Sequence, residues 1–176
     1  MKRLFTINRD HNLDLKGTMI KRQACRAIIF YEGRLLLVQS RKFGDLKFPG
    51  GGVNRGETPY QALYREVKEE TGYLLNSKII PFGSVQEFGR DIEGKYAIFC
   101  QESFYYFCEI EGPQGELALD DYEREYGYEP LFTTIGEAIR NNENIPKNGH
   151  IPWKERDTLV LKILEEEIAK KKSNIR

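Results

Sequence analysis

Glu66, Glu69 and Glu70 are spaced so that, on a helix, three carboxylates share one face. Like charges so placed repel one another unless a cation lies among them. Carboxylate oxygens suit a hard divalent ion, above all Mg2+, with Mn2+ as a substitute. Gly50-Gly51-Gly52 leads into the same segment, and backbone without side chains can approach a ligand closely. The combination points to a metal site that handles phosphates.

The acids need a helix to hold them, and the local signals for one are strong. Thr58 is a good N-cap, Pro59 suits the first helical position, and Gln61 completes a capping box with Thr58. Ala62, Leu63 and Val67 supply an apolar stripe. Gly72 ends the helix in a left-handed conformation. The acids occupy the C-terminal half, where the helix dipole disfavours negative charge. A solvated acidic face leaves that placement unexplained; a bound cation accounts for it.

The segment from Gly51 to Tyr73 resembles the Nudix box, G-x5-E-x7-R-E-U-x-E-E-x-G-U, where U is a bulky aliphatic residue. Gly51, Glu57, Arg65, Glu66, Val67, Glu69, Glu70 and Gly72 fall in register, and only Tyr73 departs, which should weaken packing slightly. Chance agreement at the seven fixed identities is on the order of 10⁻⁸ per starting position. The resemblance, to the family of MutT-like Nudix hydrolases, implies an α/β/α sandwich around a mixed sheet. It also implies Mg2+-dependent hydrolysis of a phosphoanhydride bond in a nucleoside diphosphate linked to another moiety. It makes Glu69 and Glu70 metal ligands, and Glu66 a ligand or the base that activates water. Glu57 acts in the outer shell or on a further metal, Arg65 orients a glutamate, and Gly50, Gly51 and Gly52 form the phosphate loop. Many relatives add a glutamate from a loop before the last short strand, and either Glu123 or Glu125 fits that place.

Composition narrows the partners. Lys and Arg number 27 and Asp and Glu number 27, so the formal charge is zero and no field attracts a long polyanion. A small phosphorylated nucleotide is the expected partner, not polymeric nucleic acid; a homodimer stays open. Cys25, Cys100 and Cys108 are odd in number and lack metal spacing, which reads as reduced thiols in a cytoplasmic protein. Two histidines, His11 and His150, leave imidazole coordination without support, and His150 receives no role. The N-terminus lacks the apolar core of a signal peptide, and no apolar run approaches the ~20 residues of a membrane span.

One domain over residues 1–176 is expected. Residues 1–20 read as an arm or edge strand. Ala27–Phe30 and Leu35–Val38 flank Tyr31-Glu32-Gly33-Arg34 as a buried hairpin. After the box helix come a strand over Ile79–Phe88, a turn at Asp91–Gly94, and strands over Tyr96–Cys100 and Phe104–Ile110. Half of the aromatic run Phe104–Phe107 should be core; the other half is open to stacking on a base, with core packing favoured for each one. Glu111–Gly127 reads as an acidic loop and Pro130–Phe132 as a short strand. Thr134 and Glu137 form a second capping box for a helix through about Arg140. A loop over Asn141–Pro152 and a closing helix from about Lys154 to Lys171 complete the chain, the helix stacking Leu159 on Ile163 and Val160 on Leu164.

Motifs that mark particular substrates within the family are incomplete. The coenzyme A pattern is only partly echoed by Gly44-x3-Phe48-Pro49-Gly50-Gly51, with Ser40 at its arginine position. The ADP-ribose proline is replaced by Gly89, and the tyrosine of dinucleoside polyphosphate enzymes and the NADH signature are absent. A nucleoside triphosphate or related nucleotide is the remaining default. The competing class is a Nudix-like sensor that binds nucleotide without turnover. Such domains usually have eroded box acids or an attached DNA-binding module; this chain keeps every acid and shows no extra module. Isoprenoid diphosphate isomerases share the fold but usually lack the intact box.

Overall fold

The computed structural model describes residues 1–10, 12–13, 16–91, 93–146 and 151–173. Its strands are β1 (Arg3–Asn8), β2 (Met19–Tyr31), β3 (Arg34–Ser40), β4 (Leu46–Lys47), β5 (Leu74–Gly89), β6 (Ile98–Glu111) and β7 (Tyr128–Thr133). The helices are α1 (Pro59–Thr71), α2 (Asp121–Tyr126), α3 (Ile135–Asn144) and α4 (Pro152–Ser173). The seven strands form one sheet in the order β1-β5-β6-β2-β3-β4, with β7 also paired to β3. The β1–β5 and β2–β6 pairs are parallel and the others antiparallel, so the sheet is mixed.

Alternation along β2 explains the layers. Cys25, Ala27 and Ile29 face one side and meet Ala62, Leu63 and Val67 of α1. Ile28 faces the other, in a core with Ala138 and Ile139 of α3 and Val160, Leu161 and Leu164 of α4. Helices therefore cover both faces of the sheet, the expected α/β/α sandwich. Leu63 is fully buried, and its truncation to Ala would cost about 2–5 kcal/mol. The closing helix turns Val160, Leu161 and Leu164 inward, whereas Leu159 stays on the exposed side.

Local expectations hold where local chemistry decides. Thr58 and Gln61 form the capping box, and Gly72, at φ 74°, closes α1 in the left-handed region. Residues 1–20 supply the edge strand β1 and the start of β2. Tyr73 packs edge-on to Phe132 at 5.9 Å between ring centroids.

Several segments differ from the sequence reading. The two strands expected over Tyr96–Ile110 are one, β6, because β2 and β5 hydrogen-bond it on both sides through the polar stretch Gln101-Glu102-Ser103. Both faces of its aromatic run are core, as favoured for each ring: Tyr105 and Phe107 pack with α3 and α4, Phe104 and Tyr106 with α1. The acidic loop contains α2, closed by Gly127 at φ 64°. Finally, α3 continues to Asn144, because Asn142 is not loop material. Its buried side chain accepts from Leu46 N–H and donates to the Leu46 carbonyl, both at 2.8 Å, and so extends the sheet beside β4.

All three cysteines are free and buried. Among the described residues no helix is long and apolar enough to cross a membrane. His11 and His150 lie outside the described residues.

Candidate metal and phosphate site

The glycine loop runs alongside β2. Cys25 N–H donates to the Gly51 carbonyl at 2.9 Å, Ala27 N–H to the Pro49 carbonyl at 2.8 Å, and Val53 N–H to the Gln23 carbonyl at 2.9 Å. The approach is too close for side chains. A Cβ on Gly50, whose φ is 132°, would collide with the Cys25 carbonyl, and one on Gly51 with the Glu66 carboxylate. A Cβ on Gly52 would sit 2.6 Å from the Arg22 guanidinium.

The acidic segment reaches the same place by stitching itself to the end of α1. Gly115 N–H donates to the Gly72 carbonyl at 2.8 Å, and Ala118 N–H to the Glu69 carbonyl at 2.9 Å. These bonds satisfy carbonyls that a helix end leaves open. They lead the chain into α2, whose third residue is Glu123.

Glu66, Glu70 and Glu123 thereby come together, with one oxygen from each within 4.8 Å of the others. Glu70 is 1% exposed; it accepts from Lys47 Nζ at 2.6 Å and from Gly50 N–H at 2.7 Å. Lys47 is itself buried, its ammonium 4.0 Å from the centroid of the Tyr128 ring. Glu123 is 3% exposed and accepts from Asp120 N–H at 2.9 Å and the Tyr122 hydroxyl at 3.0 Å. Glu66 accepts from Arg65 Nη1 at 2.7 Å.

The remaining acids sit differently. Arg65 clasps Glu57 through Nε and Nη2, each at 2.9 Å, and anchors the loop by donating to the Gly52 carbonyl at 3.0 Å. Its Nη1 also reaches Glu69 at 3.0 Å, so Glu69 neighbours Glu66 through a shared donor but is not one of the three gathered acids. Glu125 is exposed and pairs with Lys42 at 2.5 Å.

Burial raises the Glu70 carboxyl from an ordinary 4.5 to about 7, against the attraction of Lys47 and with help from Glu123. Burial likewise raises Glu66, against Arg65 and Arg26. Glu57 moves down, because Arg65 bonds to its charged form. Three buried acids, two of them hard to ionise, make a set of oxygen donors in need of a cation; that chemistry fits Mg2+ or Mn2+.

Sequence reading did not single out Lys47 or Arg26. The available signal was a charged residue inside an otherwise apolar strand, as Arg26 is between Ala24-Cys25 and Ala27-Ile28-Ile29.

An α/β/α sandwich that gathers carboxylates beside a glycine loop defines a class, and comparison with known proteins names it. The NUDIX domain model matches residues 21–153, and the chain belongs to that family. Among curated proteins, an RNA pyrophosphohydrolase of Acinetobacter baylyi is 64% identical over 42 residues, 24% of this chain and 25% of that protein. One from Yersinia enterocolitica is 54% identical over 41 residues, 22% of each. These matches span a quarter or less of the relatives' length. A MutT NUDIX hydrolase from Burkholderia pseudomallei superimposes over 81% of this chain and 97% of its own, with TM-score 0.53 and 20% identity. A NUDIX hydrolase from Nitrosomonas europaea covers 80% and 90%, with TM-score 0.54 and 21% identity. At such identities the superpositions speak for the fold.

Proposed function

We propose that the protein is a divalent-metal-dependent hydrolase of phosphoanhydride bonds, acting on a nucleoside triphosphate or another nucleoside diphosphate derivative. The observation that carries this reading is the convergence of Glu66, Glu70 and Glu123 beneath the Gly50–Gly52 loop. Glu66, Glu70 and Glu123 would hold Mg2+ or Mn2+. When bound, such an ion neutralises phosphate oxygens and acidifies water.

The chain's own residues divide the remaining work. Arg65 ties Glu57, Glu66, Glu69 and the Gly52 carbonyl into one rigid piece, and so fixes the loop against α1. The side chain of Glu69 is 32% exposed and shares the Arg65 Nη1 donor with Glu66, and to it we assign the taking of a proton from attacking water. Lys47 holds the second oxygen-rich side of the site together through Glu70. Residues 1–176 act as one domain, with β1 tying the N-terminal segment to the sheet.

A second substrate reading rests on the 64% identity to an RNA pyrophosphohydrolase over 42 residues: the polyphosphate taken would be the 5′ end of an RNA. One assay tests both. Nucleoside triphosphates, nucleoside diphosphate sugars and a 5′-triphosphorylated oligonucleotide are offered with Mg2+, with Mn2+ and after EDTA treatment. Turnover of at least one substrate with metal and none after EDTA is expected. Turnover that survives EDTA would contradict the reading, as would folded, metal-loaded protein that hydrolyses none of the panel.

A further inference from the structure

Arg26 lies at the centre of β2 and is 9% exposed. Its neighbours Cys25 and Ala27 point into the core under α1, so Arg26 turns to the opposite face, beside Ile28. Among the described residues no hydrogen bond or ion pair engages its guanidinium, and Nε is fully buried. Its charge acts at a distance on Asp157, Glu66 and Glu70, but a buried N–H with no acceptor is a donor left open.

The acids that could pair with it hold other donors. Glu70 takes Lys47 and Gly50 N–H, and Glu66 takes Arg65. Asp157 accepts from the Tyr105 hydroxyl at 2.7 Å, Arg156 Nε at 2.8 Å and Phe48 N–H at 3.3 Å. Tyr105 is the register partner of Arg26 across β2 and β6, which places Arg26 one strand from that acid. Arg156 repeats the pattern. Its Nη1 reaches Glu87 and Ser103, the residue two before Tyr105, while its buried Nη2 has no partner. Two arginines on the same face of the sheet thus keep donors in reserve. The backbone of Arg26 also abuts Gly50, whose N–H binds Glu70.

We infer that Arg26, backed by Arg156, forms an anion subsite that takes a phosphate group of the substrate's polyphosphate chain. This rests on the hydrolase reading above. A guanidinium offers a planar fork of donors that matches phosphate oxygens, and in a buried site such charge-assisted bonds are strong. The subsite answers the carboxylate cluster: acids hold the cation, and the arginines hold the anion that the cation does not neutralise.

The test measures binding. Affinity for an α,β-methylene nucleoside triphosphate in Ca2+ is determined by calorimetry for wild type, Arg26→Met and Arg26→Lys, and Mn2+ affinity is determined separately without nucleotide. Arg26→Met should weaken nucleotide binding by about 10–100-fold while Mn2+ binding is kept, and Arg26→Lys should recover part of the loss. Unchanged nucleotide affinity in a folded Arg26→Met protein overturns the subsite and leaves the hydrolase reading standing. Wild type that binds Mn2+ but no nucleotide overturns both. If Arg26→Met loses its cooperative melt, Arg26→Lys decides: weaker binding supports the subsite and unchanged binding overturns it. A shift of the Arg26 Nε–H resonance on adding the nucleotide gives a second check on wild type.

Discussion

Two buried ionic clusters meet the same low-dielectric interior with opposite outcomes. Around Asp157, the acids Glu87 and Asp157 face the cations Arg9 and Arg156, so charge balances and each acid is hydrogen-bonded. Burial acts to raise the Asp157 carboxyl, but attraction from Arg156 and Arg26 outweighs it and the net shift is downward. Around Glu70, burial acts in the same direction and wins, so the carboxyl rises to about 7 despite Lys47. Glu66 pairs with Arg65, which it shares with Glu57 and Glu69, and among the described residues Glu123 has no ion pair, so negative charge is in excess there. A charge-balanced buried cluster holds together as folded, with only the Arg156 Nη2 donor left open. An acid-rich one is finished by something that binds, which is why the two have different places in the account of function.

The largest contrast should appear in turnover. Glu70→Gln keeps the shape of the carboxyl and removes a metal ligand, so hydrolysis should fall on the order of 10²–10⁴-fold. Its metal-free melting at pH 7 should not fall and should rise, because Gln stands in for the protonated carboxyl that the folded protein favours. Near-normal turnover would show that the acid is structural.

Asp157→Asn tests the opposite member. It removes a charge that Arg156 needs in a fully buried pair, and the loss of stability should be about 3–5 kcal/mol by denaturant melts. Added Mg2+ should not restore it. Full rescue by metal would show that the two clusters are one site.

The pH dependence of stability sharpens the difference further. Glu70 has a folded pKa of about 7 against an ordinary 4.5, so the folded protein binds the proton more tightly. Stability of the metal-free protein from this group is fully present below about 4.5, declines as pH rises toward 7, and is level above that. Melts of wild type and Glu70→Gln in EDTA should diverge across that window, with the variant gaining relative to wild type as pH rises. A difference independent of pH would place the titration elsewhere.

The smallest expected effect separates two acids two residues apart. Glu123→Gln should lower turnover and weaken metal activation together, whereas Glu125→Gln should behave as wild type, since Glu125 only pairs with exposed Lys42. Equal effects from both would argue against the three-acid site.

That pair also shows what a sequence can and cannot carry. The box helix was legible from Thr58, Pro59, Gln61 and Gly72, because caps and first turns are local chemistry. Glu123 and Glu125 were indistinguishable, because their difference depends on where the Gly72–Gly115 and Glu69–Ala118 bonds deliver α2. Lys47, Arg26 and Asn142 look like surface residues by type, and only long-range contacts reveal them as buried. The mixed sheet was legible as a class through its family resemblance. The continuity of β6 was not, since ladder bonds from two neighbours override the polar residues in its middle.

The central claim is that the acid-rich cluster is a divalent-cation site, and an anomalous difference map from crystals grown with Mn2+ tests it most directly. A peak bounded by the carboxylates of Glu66, Glu70 and Glu123 is the expected result. A map without a peak there, at Mn2+ concentrations that fill other acidic sites on the protein, would contradict it.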